Sequence, residues 1–324
     1  MSKKTLTTRE LHLERKTMWD NSMANHEKYM DINTGLFQDQ LLEDRNCPTC
    51  GSKNHAHLFF KSGGTYVRCI DCEMVFLNPV FKNEALETYY RNNHDLQSAI
   101  VAQDFSFYRE LYTKGLSGFQ KLYSHIPNPK ILDIGCSAGG FLNIAKEFGW
   151  NTFGLEFNQQ EAKVSRQNQH EVFEMDLGSF IKTSQIKFNA ITLWDVFEHI
   201  KNGVDLLEQA RTVLDSGGGV FIQSPTPTAL AARMLQAKCN MFDGLEHVNL
   251  YTYENINYIA QKTGFEIHSH CTVISEKGVI NNYLDYQDPY LGNTKASLIN
   301  EVVTDDYILN NQLGYKFQIF LKKK

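Results

Sequence analysis

The chain has 324 residues, and 42% of them are hydrophobic, which is enough for one full-sized α/β domain with accessory segments. Its formal net charge of −5 at pH 7 disfavours nucleic acid as a partner, because proteins that bind nucleic acid broadly usually carry a basic domain or stripe. No apolar stretch approaches the roughly 18 residues of a membrane span, and the first residues lack the apolar core of a signal peptide. We therefore expect a cytoplasmic protein without a membrane partner, and the oligomeric state is left open.

Residues 1–44 form the first predicted segment. They are polar and charged, with scattered aromatic residues and no clean period. A mixed helical and extended segment is predicted here, and its role is left open.

Four of the seven cysteines form two CxxC pairs, "CPTC" and "CIDC", which are separated by 18 residues. This spacing is typical of a zinc ribbon, in which two tight turns bring four thiolates around one tetrahedral Zn²⁺; two redox pairs are the alternative. Four protein ligands leave no coordination position for a reacting water, so the metal is expected to be structural. The predicted ribbon covers residues 45–80, and its ligands are Cys47, Cys50, Cys69 and Cys72.

The rest of the ribbon follows from the pattern around these pairs. "HLFF" and "TYVRC" flank "KSGG" and predict a hairpin, and residues 74–77 predict a buried strand. His55 and His57 are expected on the surface of the hairpin rather than on the metal. Residues 81–128 are predicted to be a helical linker or lid that ends in the proline-containing "HIPNPK".

From residue 129 to residue 324 the chain alternates apolar strands with amphipathic helices. "KILDIG", "NTFGLEF", "FNAITLWDV" and "GGVFIQSP" are the strands, and "GFLNIAKEFG" and "VDLLEQARTVL" lie between them. This alternation predicts an α/β fold with a mostly parallel sheet and helices on both faces.

The turn after the first of these strands, "LDIGCSAGGF", is built from small residues. In an open α/β sheet, ligands bind beyond the carboxyl ends of the strands. Gly135 and Gly139 allow a close approach of the backbone, and Asp133 can accept a hydrogen bond at the rim. No Gly-Lys-Ser/Thr follows, so the turn is not a P-loop, and Ser137 breaks the dinucleotide pattern GxGxxG. A pyrophosphate is therefore disfavoured as the ligand.

Carboxylates recur at the ends of the next strands. Glu156 closes "NTFGLE", Asp176 lies in "FEMDL" and Asp195 lies in "LWDV". An acid at the end of the second strand suits ribose hydroxyls, although small residues at a strand-to-helix turn also serve close packing. Together these positions predict a nucleoside-type ligand.

The stretch from Lys130 to Pro225 resembles the class I S-adenosylmethionine-dependent methyltransferases, and "LDIGCSAGGF" resembles their first motif, DxGxGxG, with serine at the central glycine. The resemblance implies a Rossmann-like sheet with an antiparallel last strand, here with an N-terminal zinc ribbon. It also implies that the turn lines the methionine portion of the cofactor, that Glu156 binds the ribose, that Phe157 stacks near the adenine and that Asp176 faces the adenine amine. The implied cofactor-binding residues are Asp133, Gly135, Cys136, Ser137, Gly139, Glu156, Phe157, Asp176 and Asp195.

The similarity extends over most of residues 47–274. "CEMVFLNPVFKNEALETYY", "WDVFEHI" and "LEHVNLYTYENINYIAQKTGFEI" resemble a bacterial subgroup that includes sugar C-methyltransferases acting on nucleotide-linked keto sugars. Those enzymes carry an additional C-terminal domain that helps to hold the sugar nucleotide, and we expect this chain to lack it. The resemblance implies a small polar acceptor, such as a nucleotide-linked sugar or a related metabolite.

Methyl transfer needs an aligned acceptor and, in some reactions, a base with a pKa near neutral, which histidine provides. Glu246 and His247 in "GLEHVNLYT" match a Glu-His pair that is implicated in proton abstraction in the sugar enzymes, so they are the leading candidates. His247 capping or packing against the following helix is the alternative. For His199 in "DVFEHI" a structural role is favoured over acceptor contact, and for Tyr89 and Tyr90 packing is favoured.

Two insertions are predicted in the last domain. Residues 226–246 are expected to form a helical cover that excludes water from the active-site end. Residues 276–313 could wall the pocket or mediate dimers. Two further strands follow, "GFEIHSHCTVIS" and "GYKFQIFLKK", and the alternation of apolar residues in the second predicts an edge strand at Tyr315, Phe317, Ile319 and Leu321.

Three functions remain open at this point. A small-molecule methyltransferase with bound S-adenosylmethionine and a structural Zn²⁺ is the leading hypothesis. A zinc-ribbon RNA methyltransferase is disfavoured by the acidic charge balance. A regulatory protein that keeps the cofactor fold without catalysis is disfavoured by the Glu246–His247 pair.

Overall fold

The computed structural model describes residues 24–92, 105–284 and 303–324. Its strands in chain order are β1 (Leu42–Glu43), β2 (His55–Lys61), β3 (Gly64–Cys69), β4 (Val75–Leu77), β5 (Val80–Phe81), β6 (Lys130–Ile134), β7 (Asn151–Leu155), β8 (Glu171–Phe173), β9 (Phe188–Trp194), β10 (Leu214–Pro225), β11 (Asn249–Leu250), β12 (Phe265–Val273) and β13 (Lys316–Lys323). Its helices are α1 (Asn83–Asn92), α2 (Phe105–Gln120), α3 (Gly140–Glu147), α4 (Gln159–Gln167), α5 (Leu177–Thr183), α6 (Gly203–Val213), α7 (Leu230–Leu235), α8 (Tyr253–Lys262), α9 (Lys277–Leu284) and α10 (Asp305–Asn310).

A seven-stranded sheet forms the centre of the molecule, with the strand order β12-β13-β10-β9-β6-β7-β8. Strands β6 to β10 pair in parallel, whereas β13 runs antiparallel to both β10 and β12. Strands β6 and β9 are almost entirely buried, as expected for a parallel sheet that helices cover on both faces. The predicted α/β sheet with an antiparallel last strand is confirmed.

Helices begin where the sequence supplies capping side chains. Asn158, Asp176 and Asn202 accept backbone N–H groups at the starts of α4, α5 and α6, and Thr252 forms a capping box at the start of α8. The helices pack on opposite faces of the sheet through two apolar clusters, one containing Leu207 of α6 and Ile259 of α8, the other Phe119 of α2 and Phe141 of α3. Each capped start therefore marks a point at which the chain has left a strand. The caps that follow β7, β8 and β9 lie at the carboxyl edge of the sheet, where ligands bind in open α/β folds.

The predicted position of the last strand is wrong. Strand β13 is not at the edge of the sheet but between β10 and β12, and β12 is the edge strand. Five of its residues, Phe317 to Leu321, are buried in succession. Both faces of this strand are buried, because the face opposite Phe317, Ile319 and Leu321 carries Phe320 and the polar Gln318. The side-chain amide of Gln318 donates to the side chain of Gln223 at 2.9 Å.

A second sheet of four strands, in the order β11-β4-β3-β2, forms the cysteine-containing ribbon. The predicted hairpin is present as β2 and β3, and the predicted buried strand is β4. Strand β11 comes from the chain after β10 and pairs with β4, so it adds the fourth strand of the ribbon sheet. The ribbon thus shares a sheet with the segment that follows the loop of residues 243–247.

Arg45 joins the ribbon to that segment at the level of the side chains. Its guanidinium donates to the carbonyls of Leu77 at 3.0 Å and Val248 at 2.6 Å, and to Asn249 Oδ1 at 2.9 Å. Burial lowers the pKa of Arg45 to about 10. Cys47, Cys69 and Phe76 also belong to the same buried cluster as residues of the central sheet.

The domain boundaries stay predictions, since the ribbon and the central sheet pack against each other through shared elements. The predicted cover at residues 226–246 contains α7 and a short 3₁₀-helix (Gln236–Lys238), and the predicted insertion at residues 276–313 contains α9 and α10. Residues 1–23, 93–104 and 285–302, which belong to the predicted N-terminal segment, linker and second insertion, lie outside the described residues. Among the described helices, none has the length and apolar character needed to cross a membrane.

Candidate active site

The turn after β6 lies at the carboxyl edge of the central sheet and repeats a left-handed backbone conformation. Gly135, Ser137 and Gly139 have φ angles of 72°, 48° and 82°. Serine is therefore held in the conformation that glycine adopts most easily. The turn keeps the shape of its glycine-rich motif despite the substitution.

Glu156, directly after β7, is tied to this turn. One carboxylate oxygen accepts the N–H of Ser137 at 2.9 Å, and the other accepts the N–H of Asn158 at 2.8 Å. The hydroxyl of Ser137 donates to Glu161 Oε2 at 2.7 Å. Each carboxylate oxygen of Glu156 has a second lone pair, so the group could still accept ribose hydroxyls.

The other cofactor candidates differ in how accessible they are. The Phe157 side chain is 72% exposed beside Glu156, and an aromatic ring left open at a strand end offers a face to a planar base. Asp176 is exposed and accepts the N–H of Ser179 at 2.6 Å as the N-cap of α5. The thiol of Cys136 is buried against Gly154, so this residue can face the cleft only through its backbone.

Asp133, at the end of β6, is buried beneath the turn. Thr192 donates to its Oδ1 at 2.6 Å. Burial raises the pKa of Asp133 to about 8, although the bond from Thr192 acts in the opposite direction. A carboxyl group with this pKa can bind a neighbouring cation as the carboxylate or donate a hydrogen bond as the acid.

Asp195, directly after β9, belongs to a buried polar chain. Lys316 of β13 donates to its Oδ2 at 2.6 Å, and the amide of Gln223 lies 3.2 Å from both carboxylate oxygens. Burial lowers the pKa of Lys316, but the charge and hydrogen bond of Asp195, with smaller contributions from Tyr108 and Glu198, together outweigh burial and raise the pKa above its ordinary value. Asp195 is thus fixed at the edge where the short 3₁₀-helix Phe197–His199 begins.

The loop of residues 243–247 brings the second pair of candidates to this edge. Asp243 Oδ1 accepts the N–H groups of Leu245, Glu246 and His247 at 2.9, 3.0 and 3.2 Å. His247 Nδ1 lies 2.7 Å from the carbonyl of Met241, and because a carbonyl only accepts, the neutral ring carries its proton on Nδ1 and its lone pair on Nε2. Burial lowers the pKa of His247, but Asp243, Glu198, the Met241 carbonyl and Glu246 together outweigh burial and raise the pKa above its ordinary value.

The rings of His199 and His247 lie side by side, with centroids 5.0 Å apart. Burial lowers the pKa of His199 to about 4, and the neighbouring His247 contributes to this, so His199 is neutral. The two histidines come from different loops, one after β9 and one before β11. The structure therefore brings together Asp195, His199, Glu246 and His247, which the sequence suggested separately.

Tyr89 of α1 contacts the same loop. Its hydroxyl donates to Glu246 Oε1 at 2.5 Å and lies 3.3 Å from His26 Nε2. Tyr89 is fully buried, as a packing residue would be, but its hydroxyl also orients a candidate base. The side chain of Tyr90 lies outside the described part of the structure.

The ribbon supports the loop from below. The hydroxyl of Tyr66 in β3 donates to the carbonyl of His247 at 3.1 Å and accepts the N–H of Gly244 at 3.3 Å. Gly244 has a φ of 90°, and a Cβ placed there would lie 2.1 Å from the carbonyl oxygen of Lys61. The position of His247 therefore depends on close contact between the loop and the β2–β3 hairpin.

We expect Gly244→Ala to lower the rate of catalysis by tenfold or more, because alanine is strained at this φ and clashes with the Lys61 carbonyl. Steady-state kinetics would measure the effect, with Gly217→Ala as the control. Gly217 also has a positive φ, of 73°, but an added Cβ there meets nothing within 4 Å. Equal losses in the two variants would contradict a specific role of the loop contact.

The four ribbon cysteines have the geometry of a metal site. Their sulfur atoms all lie within 4.8 Å of one another, with 3.5 Å between Cys47 and Cys72 and 3.6 Å between Cys50 and Cys69. A tetrahedral site with Zn–S bonds of about 2.3 Å needs sulfur separations of about 3.8 Å. The two turns match, since Gly51 N–H donates to the Cys47 carbonyl at 2.9 Å and Glu73 N–H to the Cys69 carbonyl at 3.0 Å. The cluster could therefore hold a tetrahedral metal ion with little movement.

A seven-stranded, mostly parallel sheet with an antiparallel strand inserted near one end is the class I methyltransferase fold. A family model described as "Methyltransferase domain" matches residues 105–270, which is more than half of the chain. The chain belongs to this methyltransferase family, and it is an S-adenosylmethionine-dependent methyltransferase.

The chain is also similar to solved structures of methyltransferases. The chain is 20% identical to an S-adenosylmethionine-dependent methyltransferase from Archaeoglobus fulgidus, with 66% of this chain and 94% of that one covered and a TM-score of 0.44. It is 18% identical to the plantazolicin methyltransferase solved with S-adenosylhomocysteine, covering 70% and 89% with a TM-score of 0.47. It is 12% identical to the magnesium protoporphyrin IX methyltransferase of Synechocystis PCC 6803, covering 75% and 95% with a TM-score of 0.45. No curated protein sequence matches the chain.

Several residues of the site were missed by sequence reasoning. Asp243, His26 and Lys316 gave no signal of their own, because their roles depend on contacts between distant segments. Only Glu198 had a local hint, since it precedes His199 in the quoted "DVFEHI".

Proposed function

We propose that the chain transfers a methyl group from S-adenosylmethionine to a small polar acceptor, of which a nucleotide-linked sugar is the leading example. The observation that carries this proposal is the meeting of Glu246 and His247 with His199 and Asp195 at the carboxyl edge of the sheet, beside the glycine-rich turn. S-adenosylmethionine supplies an activated methyl group on its sulfonium. What remains for the chain is to align the acceptor, exclude water and remove a proton.

The cofactor would be held by the turn and by the ends of β6, β7 and β8. Glu156 would accept the ribose hydroxyls, Phe157 would cover the adenine, and Asp176 would face the adenine amine. The backbone from Gly135 to Gly139 and the buried Asp133 would line the methionine portion, and Asp195 would lie at the reacting end. The left-handed backbone at Ser137 and the exposed face of Phe157 support this arrangement.

His247 would be the base, with Glu246 as its partner. The lone pair of its Nε2 is available because Nδ1 donates to Met241, and the three N–H groups on Asp243 hold the loop in place. Tyr89 orients Glu246 through a hydrogen bond, while His199 packs against His247 and could contact the acceptor. The ribbon would bind a structural Zn²⁺ through its four cysteines and so keep Tyr66 beneath His247.

The test of the acceptor is a methylation assay with labelled S-adenosylmethionine and a panel of nucleotide-linked keto sugars, followed by mass spectrometry of the products. We expect a gain of one methyl group on at least one sugar. The parallel reaction contains structured and single-stranded RNA. Methylation of RNA alone, with binding that weakens as salt increases, would replace the sugar with the RNA alternative.

We expect Glu156→Gln to weaken S-adenosylhomocysteine binding about ten- to hundredfold, because the variant loses charge-assisted hydrogen bonds and its amide opposes an N–H of the turn. Isothermal titration calorimetry measures the effect. The matched control is Glu171→Gln at the exposed start of β8, which should bind as the unmodified chain does. Unchanged affinity in Glu156→Gln would remove this residue from the cofactor site.

A further inference from the structure

Glu198 is a buried carboxylate without a hydrogen-bond partner. It is 0% exposed, and neither of its oxygens accepts a hydrogen bond from another described residue. A carboxylate withdrawn from water in this way is strongly destabilising unless a cation or hydrogen-bond donor compensates it. The side chain lies between the end of β9 and the loop that carries His247.

Two histidines face this carboxylate. One ligand atom each from Glu198, His199 and His247 lie within 4.8 Å of one another. Two imidazoles and one carboxylate form a common ligand set for divalent transition metals, in which the protein occupies only part of the coordination sphere. The geometry is therefore that of an open metal site.

His247 is also oriented as a metal-binding histidine usually is. Its ring donates from Nδ1 to the carbonyl of Met241 at 2.7 Å. Histidines that bind metals almost always donate their second N–H to a carbonyl or carboxylate in this way. In the neutral ring, Nε2 thus keeps its lone pair for a ligand.

The charges around the group favour a cation. Asp195, Asp243 and Glu246 act on this group together with Glu198, whereas the cationic side chains that act on Glu198 in the described part of the chain are Lys316 and protonated His247. Lys316 is already paired with Asp195 at 2.6 Å. An excess of negative charge therefore remains in a partly buried space.

A proton shared between Glu198 and His247 is the competing explanation. Such a pair would be expected to form a short charge-assisted hydrogen bond. The carboxylate of Glu198 makes no hydrogen bond to either histidine. The ligand atoms of Glu198, His199 and His247 lie close together without hydrogen bonds between the carboxylate and the rings. A cation about 2 Å from each of these atoms would compensate the buried carboxylate and bind both rings.

We infer that a divalent transition-metal cation binds to Glu198, His199 and His247 at the acceptor end of the cleft, with its open positions available to oxygen atoms of the acceptor. This inference rests on the proposed function for the identity of the acceptor. It predicts an acceptor with a hydroxyl or keto oxygen, because such an oxygen can complete the coordination sphere. The ribbon cysteines, by contrast, leave no open position.

A bound cation would occupy the Nε2 lone pair of His247, so His247 could not act as the base while the cation is bound. In the cation-bound protein, an acceptor hydroxyl, or the C–H next to an acceptor keto group, would lose its proton at a lower pH, and Glu246 is the remaining member of the pair that would take that proton. The oxygen or carbon that has lost the proton would then form the bond to the methyl group as the sulfur–methyl bond breaks and S-adenosylhomocysteine leaves. The cation thus binds and acidifies the acceptor.

The test is equilibrium dialysis of the chain against Co²⁺ after its cysteine site has been loaded with Zn²⁺. We expect one Co²⁺ per chain, without the thiolate-to-cobalt absorption that binding at cysteines produces. Glu198→Gln should weaken the Co²⁺ affinity by at least about tenfold. The control is Glu208→Gln on the exposed side of α6, which removes the same charge and should leave the affinity unchanged. His199→Ala should repeat the loss and serves if Glu198→Gln does not fold.

Failure to bind Co²⁺, or equal affinity in Glu198→Gln, His199→Ala and the unmodified chain, would overturn the inference. The methylation assay is run on the same preparations. Methyl transfer without Co²⁺ binding would leave the proposed function standing and remove the metal site. Co²⁺ binding without transfer to any sugar would leave the metal site and remove the proposed acceptor.

Discussion

Replacing His247 by alanine is expected to lower the rate of methyl transfer by about 10²- to 10⁴-fold, which is the usual contribution of general acid–base catalysis. The same loss of rate is expected in both cases: the Nε2 lone pair of His247 either takes the proton of the acceptor or binds a cation that acidifies the acceptor. S-adenosylhomocysteine affinity should stay within about twofold, because the ribose and adenine candidates lie at β7 and β8, away from the loop of residues 243–247. Single-turnover kinetics and calorimetry measure the two quantities separately.

The matched control is His268→Ala. His268 lies on the edge strand β12 and is exposed, so its loss should change neither rate nor affinity. If His247→Ala turned over at the rate of the unmodified chain, the loop of residues 243–247 would have no part in the chemistry. If it lost cofactor affinity as strongly as rate, the residue would belong to the cofactor site instead.

The second large effect is expected from the ribbon. Cys69→Ser should abolish the proposed zinc binding and destabilise the fold by more than about 4 kcal/mol, as the loss of a structural metal usually does. Cys69 is fully buried in the apolar cluster that the ribbon shares with the central sheet, so the damage should not stay local. The rate of methyl transfer should fall as well, because the hydroxyl of Tyr66 in the ribbon donates a hydrogen bond to the carbonyl of His247.

Metal analysis, thermal unfolding and the methylation assay test this prediction by measuring bound zinc, stability and the rate of methyl transfer. Cys271→Ser is the matched control, since Cys271 lies on β12 and is only partly buried. It should keep one zinc per chain and an unfolding temperature close to that of the unmodified chain. A Cys69→Ser variant that stayed folded and active without zinc would show that the ribbon needs no metal.

The fold was largely predictable because its signals are local. The strand–helix alternation, the CxxC spacing and the Thr252 cap each lie within a few residues of the element that they specify. The turn after β6 was recognisable despite Ser137, because Asp133, Gly135 and Gly139 keep the rest of the motif in the sequence. Strand β13 was misplaced because apolar alternation does not reveal a polar residue such as Gln318 that is buried by hydrogen bonding.

The candidate site was predictable only in part, because its remaining members depend on contacts between distant segments. Glu246 and His247 were found through a resemblance and His199 through its position after the fourth strand, whereas Asp243 became relevant only when its carboxylate was seen to hold three N–H groups of the same loop. Tyr89 was interpreted as a packing residue, and it is buried. Its hydroxyl, however, also donates a hydrogen bond from α1 to the side chain of Glu246 in the loop of residues 243–247. No spacing rule connects residue 89 to residue 246.

The most direct test of the central claim is a crystal structure of the chain with S-adenosylhomocysteine. The account predicts the ribose hydroxyls on the carboxylate of Glu156, the adenine beside Phe157 and the amino acid portion against residues 135–139, with the sulfur turned toward the loop of residues 243–247. A nucleoside bound anywhere else on the chain, or a cleft that stays closed to it at saturating concentration, would contradict the account.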